Sequence, residues 1–285
     1  MISTQFEYVK AGSVQEAVSL LAQHGDAKLL AGGHSLIPAM KLRLSTPETL
    51  IDISGIKELS GIRREGNQLV VGAFVTHRTV EFSQVVKDSC SVLAEAAAQI
   101  GDPIVRNRGT IGGSLAHADP AADYPALVLA LNAEIHVTGP SGERTIGAED
   151  FFQGLFETVL ADDEIITRIS FPVLASGQGA AYEKFPHPAS RFAVVGVCAC
   201  VSVDKGKCAA ARVAITGAAA TAFRATDVEN ALTGQPLDEK TIAAATQQIA
   251  DPADLNGDMF ASATYRAHLC GVLARRGIAR AATNA

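Results

Sequence analysis

The sequence predicts an α+β protein built from more than one domain, on three observations. Its 285 residues exceed the usual size of one compact core. Segments with period-two alternation, such as Glu134 to Thr138 and Glu164 to Phe171, stand beside segments with helical spacing. A break in composition, Ala175-Ser-Gly-Gln-Gly179, divides the chain into residues 1–175 and 176–285.

Taken in order, Ser13-Val-Gln-Glu16 is a capping box, in which Ser13 caps a helix and Glu16 reaches back to its start. Val14, Ala17, Val18 and Leu21 follow at helical spacing, and Gly25 ends the run. A strand over Ala27 to Ala31 leads into Gly32-Gly33-His34-Ser35. A short helix over Leu36 to Leu44 and a buried strand over Leu50 to Ile53 complete a first subdomain of residues 1–55. In residues 56–175, Leu69 to Ala73 reads as a strand, Thr76 as a helix cap, and Ser91 to Ile100 as an alanine-rich helix. Gly101 to Pro125, crowded with Gly, Pro, Asp and His, reads as a long ordered functional loop. Beyond residue 176, Ala193 to Val203 and Ala209 to Thr216 are strands joined by a turn at Asp204 to Lys207. Helices follow over Asp227 to Leu232, Asp238 to Ile249 and Ala263 to Ala282, the last capped by Ser262. This last part is a small sheet, expected to have three strands, backed by helices.

Composition narrows the function. Apolar residues make up 48% and charged residues 19%, which suits a soluble globular core. A formal charge of −6 argues against nucleic acid as a partner, since tracking a phosphate backbone needs clustered Lys and Arg. Arg275, Arg276 and Arg280 sit near the end of a helix, where cations offset the helix dipole. Cys90, Cys198, Cys200, Cys208 and Cys270 form no CxxC pair. An odd number at irregular spacing fits buried thiols in a reducing compartment, with no disulfide framework and no iron–sulfur cluster. No secretory signal and no membrane-spanning stretch is read, so cytoplasmic residence is expected.

Two segments carry the chemistry: Ala31-Gly32-Gly33-His34-Ser35 and Thr110-Ile111-Gly112-Gly113-Ser114. Paired glycines allow positive φ and close approach of a ligand to the backbone. Successive amides can then converge on an anion. Neither segment contains Lys or Arg, so a diphosphate would be held by amides and by the hydroxyls of Ser35, Thr110 and Ser114. Such a grip suits a dinucleotide whose phosphates never react. The spacing matches neither the Rossmann nor the Walker glycine pattern.

The runs Lys28-Leu-Leu-Ala-Gly-Gly-His-Ser-Leu-Ile-Pro-Ala-Met-Lys-Leu-Arg43 and Arg106-Asn-Arg-Gly-Thr-Ile-Gly-Gly-Ser-Leu-Ala-His-Ala-Asp-Pro-Ala-Ala-Asp123 add a likeness. They resemble the FAD-binding medium subunit of the aerobic carbon monoxide dehydrogenase and xanthine dehydrogenase family, the molybdenum hydroxylases. The likeness continues through Asp150-Phe-Phe, Asp163-Glu-Ile-Ile, Ser262-Ala-Thr-Tyr-Arg266 and Arg275-Arg276, and so covers essentially the whole chain. It implies a two-subdomain FAD-binding fold of the vanillyl-alcohol-oxidase type followed by a small α+β domain. It also implies non-covalent FAD, although distant flavoproteins of this fold attach it through a histidine placed like His34.

The same likeness assigns residues. Leu29, Leu30, Ala31, Gly32, Gly33, His34, Ser35 and Leu36 would wrap the diphosphate and ribityl region. Thr110, Gly112, Gly113 and Ser114 would form the other half of the cradle. Asp123 would meet the sugar or another polar edge, Ile100 and Ile166 would line adenine or ring surfaces, and Lys184 would lie near the polar edge of the flavin. Many relatives carry Asn where this chain has Ser114, which puts that contact in doubt. Phe192 reads either as a shield over the flavin ring or as a core aromatic. His117, beside Asp119, reads as a structural hydrogen-bonding residue before a proton-transfer group. No residue is assigned a catalytic or metal-binding role. The molybdenum cofactor and 2Fe–2S clusters are implied in a large and a small partner subunit, in a dimer of heterotrimers. Two other readings compete: a self-sufficient FAD oxidase, and a non-redox assembly module whose glycine turns hold nothing.

Overall fold

The computed structural model describes residues 2–285. Its first unit is a three-stranded parallel sheet, order β1-β3-β2, with β1 at Glu7–Lys10, β2 at Ala27–Leu30 and β3 at Thr49–Asp52. Helix α1 (Val14–Gln23) buries Val14, Ala17, Val18 and Leu21 in one cluster with Ile51 and Ile53. The Ser13 hydroxyl accepts from the Glu16 amide at 3.1 Å, while the Glu16 carboxylate accepts from Gly12, one residue upstream of the expected partner, at 2.7 Å. Helix α2 (Leu36–Lys41) follows the first glycine turn.

The central unit is a five-stranded antiparallel sheet, order β4-β5-β10-β6-β7. Its strands are β4 (Ile62–Glu65), β5 (Gln68–Gly72), β6 (Glu134–Gly139), β7 (Gly142–Gly147) and β10 (Ile165–Pro172), with a small hairpin, β8 (Phe152–Gly154) and β9 (Glu157–Thr158), before β10. Between β5 and β6 run α3 (His77–Phe82), α4 (Gln84–Ala98), α5 (Pro103–Arg108), α6 (Ile111–His117) and α7 (Tyr124–Ala130). Residues 101–125, expected as one long loop, thus hold two short helices and the start of a third. Asp102 and Thr110 cap α5 and α6 through the amides of Val105 and Gly113, and Pro103 and Pro125 occupy first turns. Each helix is six or seven residues long, too short to display a 3.6-residue period against so much Gly and Pro.

The C-terminal sheet has four strands, not the expected three, in the order β11-β12-β13-β14. They are β11 (Gln178–Pro186), β12 (Ala193–Asp204), β13 (Lys207–Thr216) and β14 (Phe223–Arg224). The additional pairing comes from β14, whose two residues carry no legible alternation. Helices α8 (Thr226–Leu232), α9 (Glu239–Ala245) and α10 (Ala263–Thr283) cover one face, and Ser262 caps α10 as expected. Cys198 lies in the central cluster with Cys90, and Cys200 packs against it; all five cysteines are free.

The C-terminal sheet grips the central unit at residues 120–122. Gly217 donates to the Pro120 carbonyl at 2.7 Å, Ala193 to that of Ala121 at 3.0 Å, and the Thr216 hydroxyl to that of Ala122 at 2.6 Å. Arg212 donates to the Leu129 carbonyl at the end of α7, and Arg212 and Arg224 both pair with Glu149. Arg280 reaches from α10 to Glu95 on α4 and to the Tyr182 carbonyl. The closest backbone approach within the C-terminal unit is at Gly179, where a Cβ would stand 2.0 Å from the Ala281 carbonyl oxygen. Gly179→Ala is expected to lower unfolding free energy by about 1–3 kcal/mol through overpacking, measured by urea denaturation.

Candidate functional site

Strand β2 delivers the first glycine turn at the C-terminal end of the parallel sheet. Gly33 has φ +74°, the left-handed region a side chain disfavours. The amides of Gly32, Gly33, His34 and Ser35 donate to no described residue. Each of these residues is half-buried or exposed. The Ser35 side chain makes no capping bond, and His34 Nδ1 lies 3.3 Å from the Gly32 carbonyl. Four adjacent donors are therefore left without a partner among the described residues.

The second glycine pair is built differently. It is the first turn of α6, not a free loop. Thr110 Oγ1 accepts from Gly113 at 3.1 Å; Ile111 donates to the Val75 carbonyl, Gly112 to that of Ala73, and Ser114 to that of Thr110. All four amides are engaged inside the protein. This segment offers a ligand the exposed, side-chain-free face of Gly113 and the hydroxyl of Ser114. The donors for an anion thus come from one turn, and the other supplies a wall.

The two turns touch. A Cβ on Gly32 would fall 2.2 Å from the Arg108 carbonyl oxygen and 2.9 Å from the Gly109 Cα; one on Gly113 would stand 3.9 Å from the Ala31 Cβ. Main chain lies directly on main chain, so only glycine is admitted at Gly32. No Asp or Glu lies in residues 29–36 or 110–114. Free amides, a bare wall and no opposing carboxylate fit a diphosphate.

The remaining expected residues divide. Asp123 and Lys184 come together as a buried ion pair, Nζ to Oδ1 at 2.8 Å, with side-chain exposures of 4% and 1%. The Tyr182 hydroxyl donates to Asp123 Oδ1 at 2.5 Å, and Lys184 donates to the Gln99 carbonyl at 3.1 Å. Burial pushes the Asp123 carboxyl up, and Lys184 and Tyr182 oppose that shift. Ile166 is buried in the central core, and Ile100 is half-buried against it. Phe192 is 43% exposed at the end of the loop between β11 and β12. His117 is exposed, packs its ring 5.1 Å from that of Phe156, and makes no hydrogen bond to the Asp119 side chain, which accepts from Ala121.

Sequence reasoning missed His77, Tyr182, and the Arg106–Glu81 pair at 2.8 Å. His77 opens α3, donates its amide to the Gly109 carbonyl at 2.9 Å, and is 5% exposed. Burial holds its imidazole down to about 4, and the neighbouring His34 and Arg106 add to the effect. In sequence, a histidine after a capping Thr and before Arg reads as helix surface, so nothing marked it.

Residues 4–174 match the family model described as FAD binding domain in molybdopterin dehydrogenase. The chain belongs to this family. Residues 180–281 match a second model, CO dehydrogenase flavoprotein C-terminal domain. The carbon monoxide dehydrogenase medium chain of Hydrogenophaga pseudoflava is 44% identical over 284 residues, covering 98% of this chain and 97% of that one. The solved structure of carbon monoxide dehydrogenase from Hydrogenophaga pseudoflava lacking the Mo-pyranopterin moiety superposes with a TM-score of 0.96 at 42% identity, over 100% of this chain and 99% of that chain. Quinoline 2-oxidoreductase from Pseudomonas putida 86 gives 0.93 at 33% identity, over 99% of each chain. The protein is therefore a medium, FAD-binding oxidoreductase subunit of the molybdenum hydroxylase type. Among the described residues no helix is long and apolar enough to cross a membrane.

Two outcomes are expected. Lys184→Met strands a buried carboxylate and lowers stability by about 3–5 kcal/mol; adding Asp123→Leu recovers much of that in urea titrations. His77 titrates at its ordinary 6.5 when unfolded and at about 4 when folded. Between those values the unfolded chain binds a proton that the folded chain does not, so stability falls as pH falls. The slope from this group is about 1.4 kcal/mol per pH unit. The pH dependence of His77→Gln, compared with wild type over that window, lacks this component.

Proposed function

We propose that this chain carries FAD as the electron-transfer subunit of a heterotrimeric molybdenum hydroxylase. It takes electrons from 2Fe–2S clusters of a small partner subunit and passes them to an external acceptor. Substrate is oxidised at a molybdenum cofactor in a large partner subunit, and the complex is a cytoplasmic dimer of heterotrimers. The observation that carries this reading is the meeting of four unpartnered amides, Gly32 to Ser35, with the bare face of Gly113. The family membership and full-length likeness support the partners.

In this reading the amides of Gly32, Gly33, His34 and Ser35 hold the diphosphate, with Leu29, Leu30, Ala31 and Leu36 along the adjoining chain. Gly112, Gly113 and Ser114 wall the other side, and the Thr110 hydroxyl fixes that wall by capping α6. Ile100 provides apolar surface backed by the core that contains Ile166, and Phe192, exposed at the end of the loop after β11, would cover the flavin ring. Asp123 and Lys184 satisfy one another, so they hold the central and C-terminal domains in the register that frames the polar edge of the ring. When bound, FAD supplies the capacity to exchange one or two electrons, and the chain sets its orientation and surroundings. No proton-transferring side chain of this subunit is required for substrate oxidation. In this reading residues 1–175 grip the cofactor and residues 176–285 close the site.

The purified full chain is expected to take up one FAD, turn yellow, and release all flavin on denaturation. Gly33→Val, strained at φ +74°, weakens uptake at least about tenfold, or roughly 1.4 kcal/mol, measured by flavin fluorescence. Colourless protein that takes up no FAD would defeat the reading, and reduction of the isolated flavoprotein by an alcohol, sugar or hydroxy acid would favour a self-sufficient oxidase.

A further inference from the structure

Behind the second glycine turn lies a residue to which the cofactor reading assigns nothing. Residues 73–77 run beside residues 109–112 as a short ladder. Gly112 donates to Ala73 at 2.9 Å, Ile111 to Val75 at 3.0 Å and His77 to Gly109 at 2.9 Å, with Thr76 and Thr110 paired as an antiparallel bridge. At the end of this ladder the His77 ring turns under Gly109. A Cβ on Gly109 would stand 2.5 Å from Nε2 and 2.8 Å from Cδ2. The ring also packs 5.4 Å, centroid to centroid, from that of Tyr124, the first residue of α7. His77 Nδ1 and the Tyr124 hydroxyl are both buried without a hydrogen-bond partner among the described residues. Such atoms carry a desolvation cost of about 1–3 kcal/mol each. Two together, directly behind a ligand-binding turn, are more than a packing requirement explains, because an apolar ring fills space without that cost.

Gly109 is thus held between two neighbours. On one side the His77 ring presses against it; Gly32 lies against it on the other. The contacts run Tyr124, His77, Gly109, Gly32, and then to the four free amides. Tyr124 follows Asp123, whose carboxylate is paired with Lys184 of the C-terminal sheet. The ring thus lies between α7, which follows Asp123, and the turn that bears the donors.

We propose that His77 is a positioning residue for the cofactor cradle, setting the separation of Gly109, and through it of Gly32 to Ser35, from α7. The inference rests on the FAD reading and deepens it: His77, buried beneath Gly109, acts through the placement of main chain. Volume at this position matters on both sides, since anything added to Gly109 displaces the ring and anything removed from His77 lets the turn fall back.

The test is a double-mutant cycle on the full apo chain, titrated with FAD and separately with ADP, which carries the diphosphate but no flavin. His77→Ala and Gly109→Ala are each expected to weaken FAD and ADP binding at least about fivefold, with the stability of each apo variant measured separately by thermal denaturation. In the His77→Ala background, Gly109→Ala is expected to cost less than about twofold more, because its Cβ enters the space the ring has left. If His77→Ala does not fold, His77→Asn takes its place in the cycle. Strictly additive effects, unchanged affinity in either single variant, or affinity losses that track losses in apo stability would each overturn the proposal. A wild-type chain that binds neither FAD nor ADP overturns the functional reading itself, an outcome separate from wild-type binding with unaffected variants.

Discussion

The site depends on one steric constraint: the main chain of Gly32 lies against the main chain of Arg108 and Gly109, with no room for a side chain between them. Everything else arranges itself around that contact. The parallel sheet brings the first turn to it from one side; the ladder of residues 73–77 brings the second from the other. Where the backbones touch, the amides of Gly32 to Ser35 have no partner among the described residues. In the proposed reading, the diphosphate of FAD is the anion that meets those donors. Neither turn contains Lys or Arg, so in that reading main-chain amides and hydroxyls make the grip.

A second constraint is electrostatic. Asp123 and Lys184 are both removed from water, and neither is tolerable without the other. Replacing a buried pair with apolar residues is often neutral or stabilising, so the pair is better understood as specifying how two domains meet than as adding to stability. Tyr182 and the Gln99 carbonyl complete the set by occupying further hydrogen-bonding positions of the two charges. The Arg212 and Arg224 pairs with Glu149, more exposed, repeat the tie at another edge of the same junction.

Much of this was legible in the residues. The capping serine at Ser13, the strand running into Gly32, the β12–β13 hairpin and the long last helix all follow from local chemistry that the tertiary structure leaves alone. The glycine pairs pointed to the candidate site because a lack of side chains is itself a signal. What stayed hidden has a common cause. Strands β1, β4 and β14 are only two to four residues long, and the helices between Pro103 and Ala130 run six or seven, below the length at which periodicity speaks. The second glycine pair looked like a loop because glycine is rare in helices, yet Thr110 caps a helix there and Gly112 must pass within reach of Ala73. His77 and Tyr182 matter through partners far away in sequence, and no local pattern encodes such a meeting.

The Asp123–Lys184 pair also bears on how such chains can change over time. Its acid is encoded before the junction near residue 175 and its base just after it, so a hybrid gene joined at that point inherits one charge from each parent. A hybrid that inherits one charge without its partner leaves that charge buried and unpaired, so the two halves are best exchanged as a matched set at this seam.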